Sequence, residues 1–470
     1  MEARGDIALI GLAVMGQNLI LNMSDHGYTV VAYNRTVSKV DEFLQGAARG
    51  RTMILGAHSM EEMVRLLKRP RKVMLMVKAG KAVDDFIELV LPHLEPGDLI
   101  IDGGNSHFPD TIRRTKYLES KGLLYIGTGV SGGEEGARFG PSIMPGGSPE
   151  AWPLVKDIFQ SISAKTPDGS PCCDWVGENG AGHYVKMTHN GIEYGDMQLI
   201  CEAYQLMKEG LGMTPGKMHK VFAEWNKGEL DSYLIEITRD ILAYKDEDGE
   251  PLVEKILDTA GQKGTGKWTS QAAMDFGTPI PTIDSAVTMR QISSQKALRS
   301  ELAAKYGGIR ATADLSRSKI NIRDVEDALF CAFVLTYSQG MSLLAAASDE
   351  KGYGLELSAI ARIWRGGCII RSRLLEDIRS AYSSYPTLKN LLLDPKIAEI
   401  LNSRSATLRK TVVTFIENGI PAACFSSALA YFDAIRTERL PANLIQAQRD
   451  FFGAHTYQRT DMEGTFHTEW

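Results

Sequence analysis

A glycine-rich turn near the amino terminus constrains the fold more than any other feature of the sequence. The apolar run Ile7–Ile10 leads directly into Gly11-Leu12-Ala13-Val14-Met15-Gly16 and then into a helical pattern. A strand that enters a helix through such a turn is typical of dinucleotide-binding folds, because backbone N–H groups at the helix start can hold a pyrophosphate. A tight turn without a ligand is the alternative interpretation.

The order of the elements extends this prediction to two domains. Four further strand-like runs, at 29–33, 73–77, 99–101 and 124–126, alternate with amphipathic helical stretches, which predicts βαβ units and a mostly parallel sheet. From about Gly180 onward, helical patterns dominate, over 184–208, 230–242 and 324–347. We therefore predict an α/β Rossmann-type dinucleotide-binding domain over 1–180 and a large all-α domain over 181–440.

The helical part contains an internal duplication. A Ser-x-Leu-x-Glu pattern occurs twice, 140 positions apart, at Ser232, Leu234 and Glu236 and again at Ser372, Leu374 and Glu376. This spacing predicts two copies of one helical unit. Residues 441–470 have too few periodic apolar positions to fold alone, so we predict a C-terminal tail that packs on another surface.

Charge and composition exclude several classes of protein. A net charge of −6 argues against nucleic acid or an anionic membrane as a partner. The apolar stretch 328–347 is interrupted by polar residues, so we expect a buried helix and no membrane span. Glu2 and Asp6 are unlike a signal peptide, and the six cysteines show no CxxC or zinc spacing. We expect a cytoplasmic protein with reduced thiols and no bound metal.

The residues after the second predicted strand indicate the cofactor. An NAD-binding unit carries a carboxylate here, which bonds the ribose 2′-hydroxyl. This sequence has Asn34-Arg35-Thr36 instead, and these side chains can hold a 2′-phosphate through charge-assisted hydrogen bonds. The sequence therefore favours NADP, with an ordinary surface arginine as the alternative.

Two other segments are candidate anion sites. Consecutive glycines in 127–136 let backbone amides approach a ligand closely, although a domain linker is an equal alternative. The segment 261–268 nearly matches a Walker A loop, but Trp268 stands where Ser or Thr must bind magnesium. Lys263 and Thr265 still suit a phosphate, and a plain turn is the alternative.

A stripe of polar residues on one helix is the strongest candidate for chemistry. Lys186, Asn190 and Glu193 are spaced i, i+4 and i+7, so they lie on one helix face. On spacing alone, a surface lysine with polar neighbours explains the pattern. The flanking residues 182–185 and 197–201 are too apolar for an exposed helix, however, and a buried Lys and Glu on one stripe indicate a site.

With these motifs assembled, the chain resembles the 6-phosphogluconate dehydrogenase family over essentially its whole length. The resemblance rests on ordered strings at 11–16, 34–36, 77–79, 102–106, 130–136, 186–193, 264–268, 446–450 and 453–455. It implies a Rossmann domain, a helical domain with an internal duplication, and a C-terminal tail that inserts into the partner subunit of a homodimer.

The resemblance also assigns site residues. The implied cofactor contacts are Gly11, Leu12, Ala13, Val14, Met15, Gly16, Asn34, Arg35, Thr36, Val77, Lys78, Ala79 and Asn105. The implied substrate contacts are Asn105, Ser131, Gly132, Gly133, His189, Asn190, Tyr194, Lys263, Thr265 and Arg290, with Arg449 and His455 supplied by the other subunit.

The implied reaction is the oxidative decarboxylation of 6-phospho-D-gluconate to D-ribulose 5-phosphate and CO2 with reduction of NADP, a step of the pentose phosphate pathway. Lys186 would take the proton of the C3 hydroxyl of the substrate, and Glu193 would protonate the carbon that becomes C1 of ribulose 5-phosphate. Lys186 must therefore start neutral, and burial favours a neutral amine beside a protonated Glu193, so the two should titrate as one unit. The keto intermediate is its own electron sink, so the reaction requires no metal.

Two other functions fit parts of the sequence. A non-decarboxylating β-hydroxyacid dehydrogenase shares the two-domain plan and a lysine base, but the duplicated helices, Lys263 and the cations of the tail favour a phosphorylated substrate. An inactive NADP-binding sensor or scaffold is disfavoured because Lys186 and Glu193 are both present.

Overall fold

The computed structural model describes residues 3–307 and 320–470. Its first part is a sheet of eight strands in the order β3-β2-β1-β4-β5-β6-β7-β8, parallel except that β7 runs antiparallel to β6. The strands are β1 Ile7–Ile10, β2 Val30–Tyr33, β3 Ile54–Gly56, β4 Lys72–Leu75, β5 Leu99–Asp102, β6 Leu124–Ser131, β7 Ser142–Gly147 and β8 Gly177–Glu178.

Helices cover both faces of this sheet, which explains why strands such as β1 are apolar at every position. They are α1 Val14–Asp25, α2 Ser38–Gln45, α3 Met60–Arg65, α4 Lys81–Val90, α5 Phe108–Glu119, α6 Gly133–Phe139 and α7 Trp152–Ile162. The strand order reverses between β1 and β4, and in open α/β sheets ligands bind at the carboxyl ends of the strands at this point.

The second part is helical. It consists of α8 Ala181–Gln205, α9 Pro215–Trp225, α10 Tyr233–Ala243, α11 Thr265–Asp275, α12 Pro281–Ser294, α13 Lys296–Tyr306, α14 Ile322–Lys351, α15 Leu357–Ile363, α16 Leu374–Ser384, α17 Pro395–Glu417, α18 Ala423–Ile435 and α19 Ala442–Gly453. The predicted fold class is therefore confirmed. The predicted domain bounds stay predictions, and residues 1, 2 and 308–319 within them lie outside the described residues.

The duplication is visible in the order of the helices. α8, α9 and α10 correspond to α14, α15 and α16, and the paired helices start 141, 142 and 141 positions apart. The two copies meet at the repeated serine, because Ser232 and Ser372 pair in an antiparallel bridge. The backbone N–H of Tyr233 donates to Arg371 O at 3.0 Å beside it.

Helix α14 is long and apolar enough to cross a membrane by length and composition, but 89% of its most apolar window is buried inside the protein. It packs against α8 and α17 in the largest apolar core of the described chain. The sequence-based expectation of a buried helix is confirmed.

The structure corrects one loop prediction and adds three strands that the sequence did not predict. The segment 127–136 is not a loop throughout, because β6 continues to Ser131 before α6 begins at Gly133. Strands β3, β7 and β8 were not predicted; β7 contains Pro145, Gly146 and Gly147, and two of the three are very short. Two of the glycines that suggest a loop, Gly127 and Gly129, instead leave room for α8 to pack on the sheet.

Helix α8 lies backbone to backbone on β6 and β7. A methyl group added at Gly182 would lie 2.1 Å from the carbonyl oxygen of Gly127 and 2.6 Å from that of Met144. One added at Gly129 would lie 2.3 Å from Cβ of Lys186. The absence of side chains at these positions therefore sets the distance between the helix and the sheet.

Two glycine substitutions test this packing. Gly182→Ala should lower the free energy of unfolding by about 1–3 kcal/mol, because the added methyl meets backbone atoms that cannot rotate away. Gly216→Ala is the matched helical control, with no atom within 4 Å of the added methyl, and should raise stability by up to about 1 kcal/mol. Urea and thermal unfolding measure both; equal effects would contradict this account.

Candidate active site

Helix α8 presents the predicted polar stripe to a cavity between the two parts of the chain. Lys186 is 6% exposed, and its Nζ donates to Ser131 Oγ at 3.0 Å and to Asn190 Oδ1 at 2.8 Å. Glu193 lies one helical turn after Asn190 and is partly exposed to the same cavity. A surface location for this lysine, the alternative left open by its spacing, is excluded.

His189 lies beneath the cavity and supports the site. It is fully buried, with Nδ1 3.0 Å from Asn190 Oδ1 and Nε2 3.4 Å from Ser131 Oγ. Burial is the main reason that the pKa of His189 lies well below its ordinary value, and a positive charge on Lys186, whenever that amine is protonated, lowers it further, so the ring is neutral. Among residues 3–307 and 320–470, no cluster of three or more His, Cys, Asp or Glu forms a possible metal site.

Burial shifts the pKa values of Lys186 and Glu193 in opposite directions. It lowers the pKa of Lys186, which the negative charge of Glu193 partly opposes. It raises the pKa of Glu193, against the positive charges of Lys186 and Arg290. In the described structure the two side chains form no ion pair within 4.0 Å, and both shifts favour the neutral amine and the neutral acid expected from the sequence.

The cavity has a volume of about 640 Å³ and gathers most of the predicted catalytic and substrate-binding residues. Its walls include Met15, Asn105, Ser131, Gly132, Gly133, Lys186, Asn190, Glu193, Tyr194, Lys263, Thr265 and Arg290. Four further residues line the cavity. Val130, Gly261 and Gln262 belong to the two candidate anion segments, 127–136 and 261–268, whereas Ile369 was not predicted by any sequence signal.

Cationic side chains stand at one end of the cavity. The guanidinium carbon of Arg290 lies 4.1 Å from the ring centroid of Tyr194, and Nη1 donates to Gly261 O at 2.8 Å. Lys263 is exposed just before α11, and Thr265 Oγ1 accepts from Asn190 Nδ2 at 3.1 Å. An anionic group at this end would meet two positive charges within reach of the polar stripe.

The carboxyl ends of β1, β2 and β4 form a cradle suited to a dinucleotide. Gly11 has φ +113°, and a methyl there would lie 2.4 Å from Met76 O, so the turn leaves room only for backbone. Ala13 precedes α1 without a side-chain cap, which leaves the first N–H groups of the helix free for a phosphate. This geometry fits the pyrophosphate of NADP on residues Gly11, Leu12, Ala13, Val14, Met15 and Gly16.

The loops around this cradle carry the other predicted cofactor residues. Asn34 ties two of them together, because its Oδ1 accepts from Leu12 N at 3.1 Å and its Nδ2 donates to Thr36 O at 3.1 Å. The side chains of Arg35 and Thr36 are exposed beside it. Val77, Lys78 and Ala79 follow β4, and Lys78 is also exposed. A 2′-phosphate at the end of β2 would therefore meet Arg35 at little cost in desolvation.

Arg114 supports this edge of the sheet and was missed by sequence reasoning. It is 1% exposed and donates through Nη2 to Gly80 O at 3.0 Å. Its Nη1 lies 3.4 Å from both Asp102 Oδ2 and Ser106 Oγ. It thus joins the loop after β4 to the loop that carries Asn105. A lysine or arginine inside a mixed helical pattern gives no sign of burial, so the sequence could not identify it.

Two predicted residues lie away from the cavity. Arg449 is on α19, and His455 follows that helix; both are exposed, and neither lines the cavity within the chain. A single chain therefore does not bring these two cations to the remaining site residues.

The fold and the site together define a class of protein. A Rossmann-type cradle opens toward a cavity that holds a buried lysine and glutamate, which are the parts of a nicotinamide-dependent dehydrogenase with a helical substrate domain.

Comparison with known families identifies the particular one. The model of the 6-phosphogluconate dehydrogenase C-terminal domain matches residues 182–470, and that of the NAD-binding domain of 6-phosphogluconate dehydrogenase matches residues 6–177. The chain belongs to the 6-phosphogluconate dehydrogenase family.

The similarity to individual relatives extends over the full length of the chain. The chain is 60% identical over 472 residues to the decarboxylating 6-phosphogluconate dehydrogenase of Haemophilus influenzae, covering 100% of this chain and 97% of that protein. It is 55% identical over 469 residues to that of Mus musculus, with the same coverage. The structure is similar to Plasmodium falciparum 6-phosphogluconate dehydrogenase, solved in its apo form and with NADP+ or 6-phosphogluconate, at a TM-score of 0.95 and 46% identity, covering 99% of this chain and 100% of that one.

Proposed function

We propose that this protein catalyses the NADP-dependent oxidative decarboxylation of 6-phosphogluconate to ribulose 5-phosphate and CO2, a step of the pentose phosphate pathway. One observation carries the proposal: the buried amine of Lys186, held by Ser131 and Asn190, shares a cavity with Met15 and Asn105 from the cofactor edge. A substrate in this cavity would lie between the base and the nicotinamide.

The substrate's two anionic ends suit the charges of the cavity. We assign Lys263 and Arg290 to anionic groups, because they supply the positive charge at one end. Asn190 and Ser131 would bind hydroxyl groups near C3, since each already contacts the amine of Lys186. The backbone N–H groups of Gly132 and Gly133 at the start of α6 suit the carboxylate.

The residues divide the proton transfers between them. NADP, when bound, accepts the hydride from C3. Lys186, as a neutral amine, removes the C3 hydroxyl proton, and the resulting 3-keto acid loses CO2 because the ketone accepts the electron pair. Lys186 then returns the proton to the C3 oxygen, which gives an enediol. Glu193 as an acid protonates the former C2, which becomes C1 of ribulose 5-phosphate, while Lys186 takes the proton back from the former C3 oxygen as the ketone forms. The pKa of Lys186 is lowered and that of Glu193 is raised, and each shift is in the direction that the first and last steps need.

We further propose that the protein acts as a homodimer in which the tail, residues 441–470, completes the site of the partner subunit. Support comes from the apolar side chains that the single chain leaves exposed on the tail, namely Leu444, Ile445, Phe451, Phe452 and Trp470. Helix α13 likewise exposes Leu298, Leu302 and Tyr306. The tail also holds Arg449 and His455, which no contact in their own chain brings to the cavity. A cytoplasmic location is proposed as well, supported by six unpaired cysteines.

Assay of the purified protein tests the function. With 6-phosphogluconate and NADP, NADPH and CO2 should form in equal amounts. Arg35→Glu should raise the KM for NADP about tenfold to a hundredfold, because a charge-assisted bond to the 2′-phosphate contributes about 1.5–3 kcal/mol, while the KM for NAD changes little. Arg49→Glu, at an exposed arginine of the same domain, is the control. NADPH without CO2, or equal losses with both cofactors, would contradict the proposal.

A mixing experiment tests the shared site. Assayed with 6-phosphogluconate near the wild-type KM, Lys186→Met should be inactive and Arg449→Ala nearly so when each is alone. In a heterodimer one site would collect both lesions, and the other would combine a sound Lys186 with a sound donated Arg449. Random exchange makes half of the dimers mixed, so about a quarter of wild-type activity should return. No recovery after exchange has been verified by mass would show that Arg449 acts within its own chain.

A further inference from the structure

The backbone around His455 adopts an unusual conformation. In the described chain, three residues other than glycine have positive φ, namely Asn179, Ala454 and Thr456. Two of them, Ala454 at φ +49° and Thr456 at φ +60°, directly flank His455. A β-branched residue is a genuine outlier in this region, and such strain persists only where surrounding contacts hold it.

Asp450 supplies those contacts. Its side chain is fully buried, although α19 is otherwise largely exposed. Oδ1 accepts from Thr456 N at 2.9 Å and lies 2.9 Å from His467 Nδ1, while Oδ2 accepts from Thr468 N at 3.0 Å and Trp470 Nε1 at 3.0 Å. Burial alone would raise the pKa of Asp450, but these donors outweigh it and lower the pKa to about 2, so the group is an ionised acceptor.

Gln446, one turn of α19 before Asp450, also contacts the backbone at Thr456. Its Nε2 donates to Thr456 O at 2.6 Å, and its Oε1 accepts from Arg449 Nη1 at 3.0 Å. The side chain of Gln446 therefore connects the arginine to the backbone next to His455.

The rest of the tail closes on itself. Tyr457 and Phe466 pair through two backbone hydrogen bonds, Tyr457 N to Phe466 O at 2.9 Å and Phe466 N to Tyr457 O at 2.8 Å. The rings of Phe451 and Trp470 lie 6.3 Å apart. Internal bonds therefore give the tail a defined shape, which we call the hook: α19, the turn at 454–456, and residues 457–470 folded back onto Asp450.

We propose that Asp450 is a positioning residue that builds the hook and so presents His455 beside Arg449 before the tail reaches a second copy of the chain. The inference rests on the proposed donation of the tail and adds a role for a residue that touches no substrate. A carboxylate is suited to this role because it accepts from several donors at once. An asparagine would replace half of that acceptor capacity with N–H groups facing other donors.

The test uses full-length Asp450→Asn. The KM for 6-phosphogluconate should rise by about tenfold, as when a charge-assisted contact to the substrate is lost. The kcat should change by less than about threefold, because contacts equal in ground and transition states affect KM alone. The Kd for NADP should stay at the wild-type value. Asp461→Asn is the matched control, because Asp461 lies in the same tail, is exposed and pairs with Arg459.

Subunit mixing distinguishes a positioning role of Asp450 from a general folding defect in the Asp450→Asn variant. Asp450→Asn homodimers should contain only high-KM sites. When exchanged with inactive Lys186→Met, the intact Lys186 of the Asp450→Asn subunit receives a sound hook from its partner. A population of sites with the wild-type KM should therefore appear. If high KM persists throughout the mixture, Asp450 acts on its own subunit and the proposal is wrong.

The remaining outcomes are distinct. A wild-type KM in Asp450→Asn, together with recovery in the Lys186→Met and Arg449→Ala mixture, would overturn the hook and leave the donated tail in place. Failure of that second mixture would instead overturn the donated tail. Should Asp450→Asn not fold, Gln446→Leu replaces it, and a wild-type KM in that variant would equally contradict the proposal.

Discussion

The close packing of α8 against β6 and β7 is the constraint on which the site depends. Glycines at 129 and 182 allow the helix and the sheet to approach until backbone meets backbone. The stem of Lys186 then lies against Gly129, and its amine reaches Ser131 at the end of β6. This packing brings a lysine of the helical part to the carboxyl edge of the Rossmann sheet, because no side chains separate helix and sheet at these positions.

The chemistry follows from the burial that this packing imposes. Desolvation lowers the pKa of Lys186 and raises that of Glu193, which favours the neutral form of both groups on one helix face. His189 and Asn190 keep the amine in place, and Lys263 and Arg290 supply positive charge to the same cavity. In the proposed dimer, the tail's Arg449 and His455 would add to the groups that bind the substrate.

Sequence reasoning succeeded where a signal was local and periodic. The stripe of Lys186, Asn190 and Glu193 and the first glycine turn were placed correctly, because helix periodicity and turn chemistry depend on neighbouring residues. It failed where a role depends on distant partners. In the sequence alone, the glycines of β6 indicate a loop, because the helix that requires them, α8, lies more than fifty residues further along the chain. Arg114 and Asp450 look like ordinary polar helix residues, and only the folded chain shows their burial.

The central claim is that packing of α8 makes Lys186 a neutral base, and its titration tests this most directly. Acetylation by acetic anhydride can be followed against pH at the Lys186 peptide by mass spectrometry, in the folded protein and after unfolding in urea. The midpoint should lie at lower pH in the folded protein and fall further in Glu193→Gln, since the negative charge of Glu193 raises the pKa of Lys186. The same midpoint in folded and unfolded protein would contradict the account.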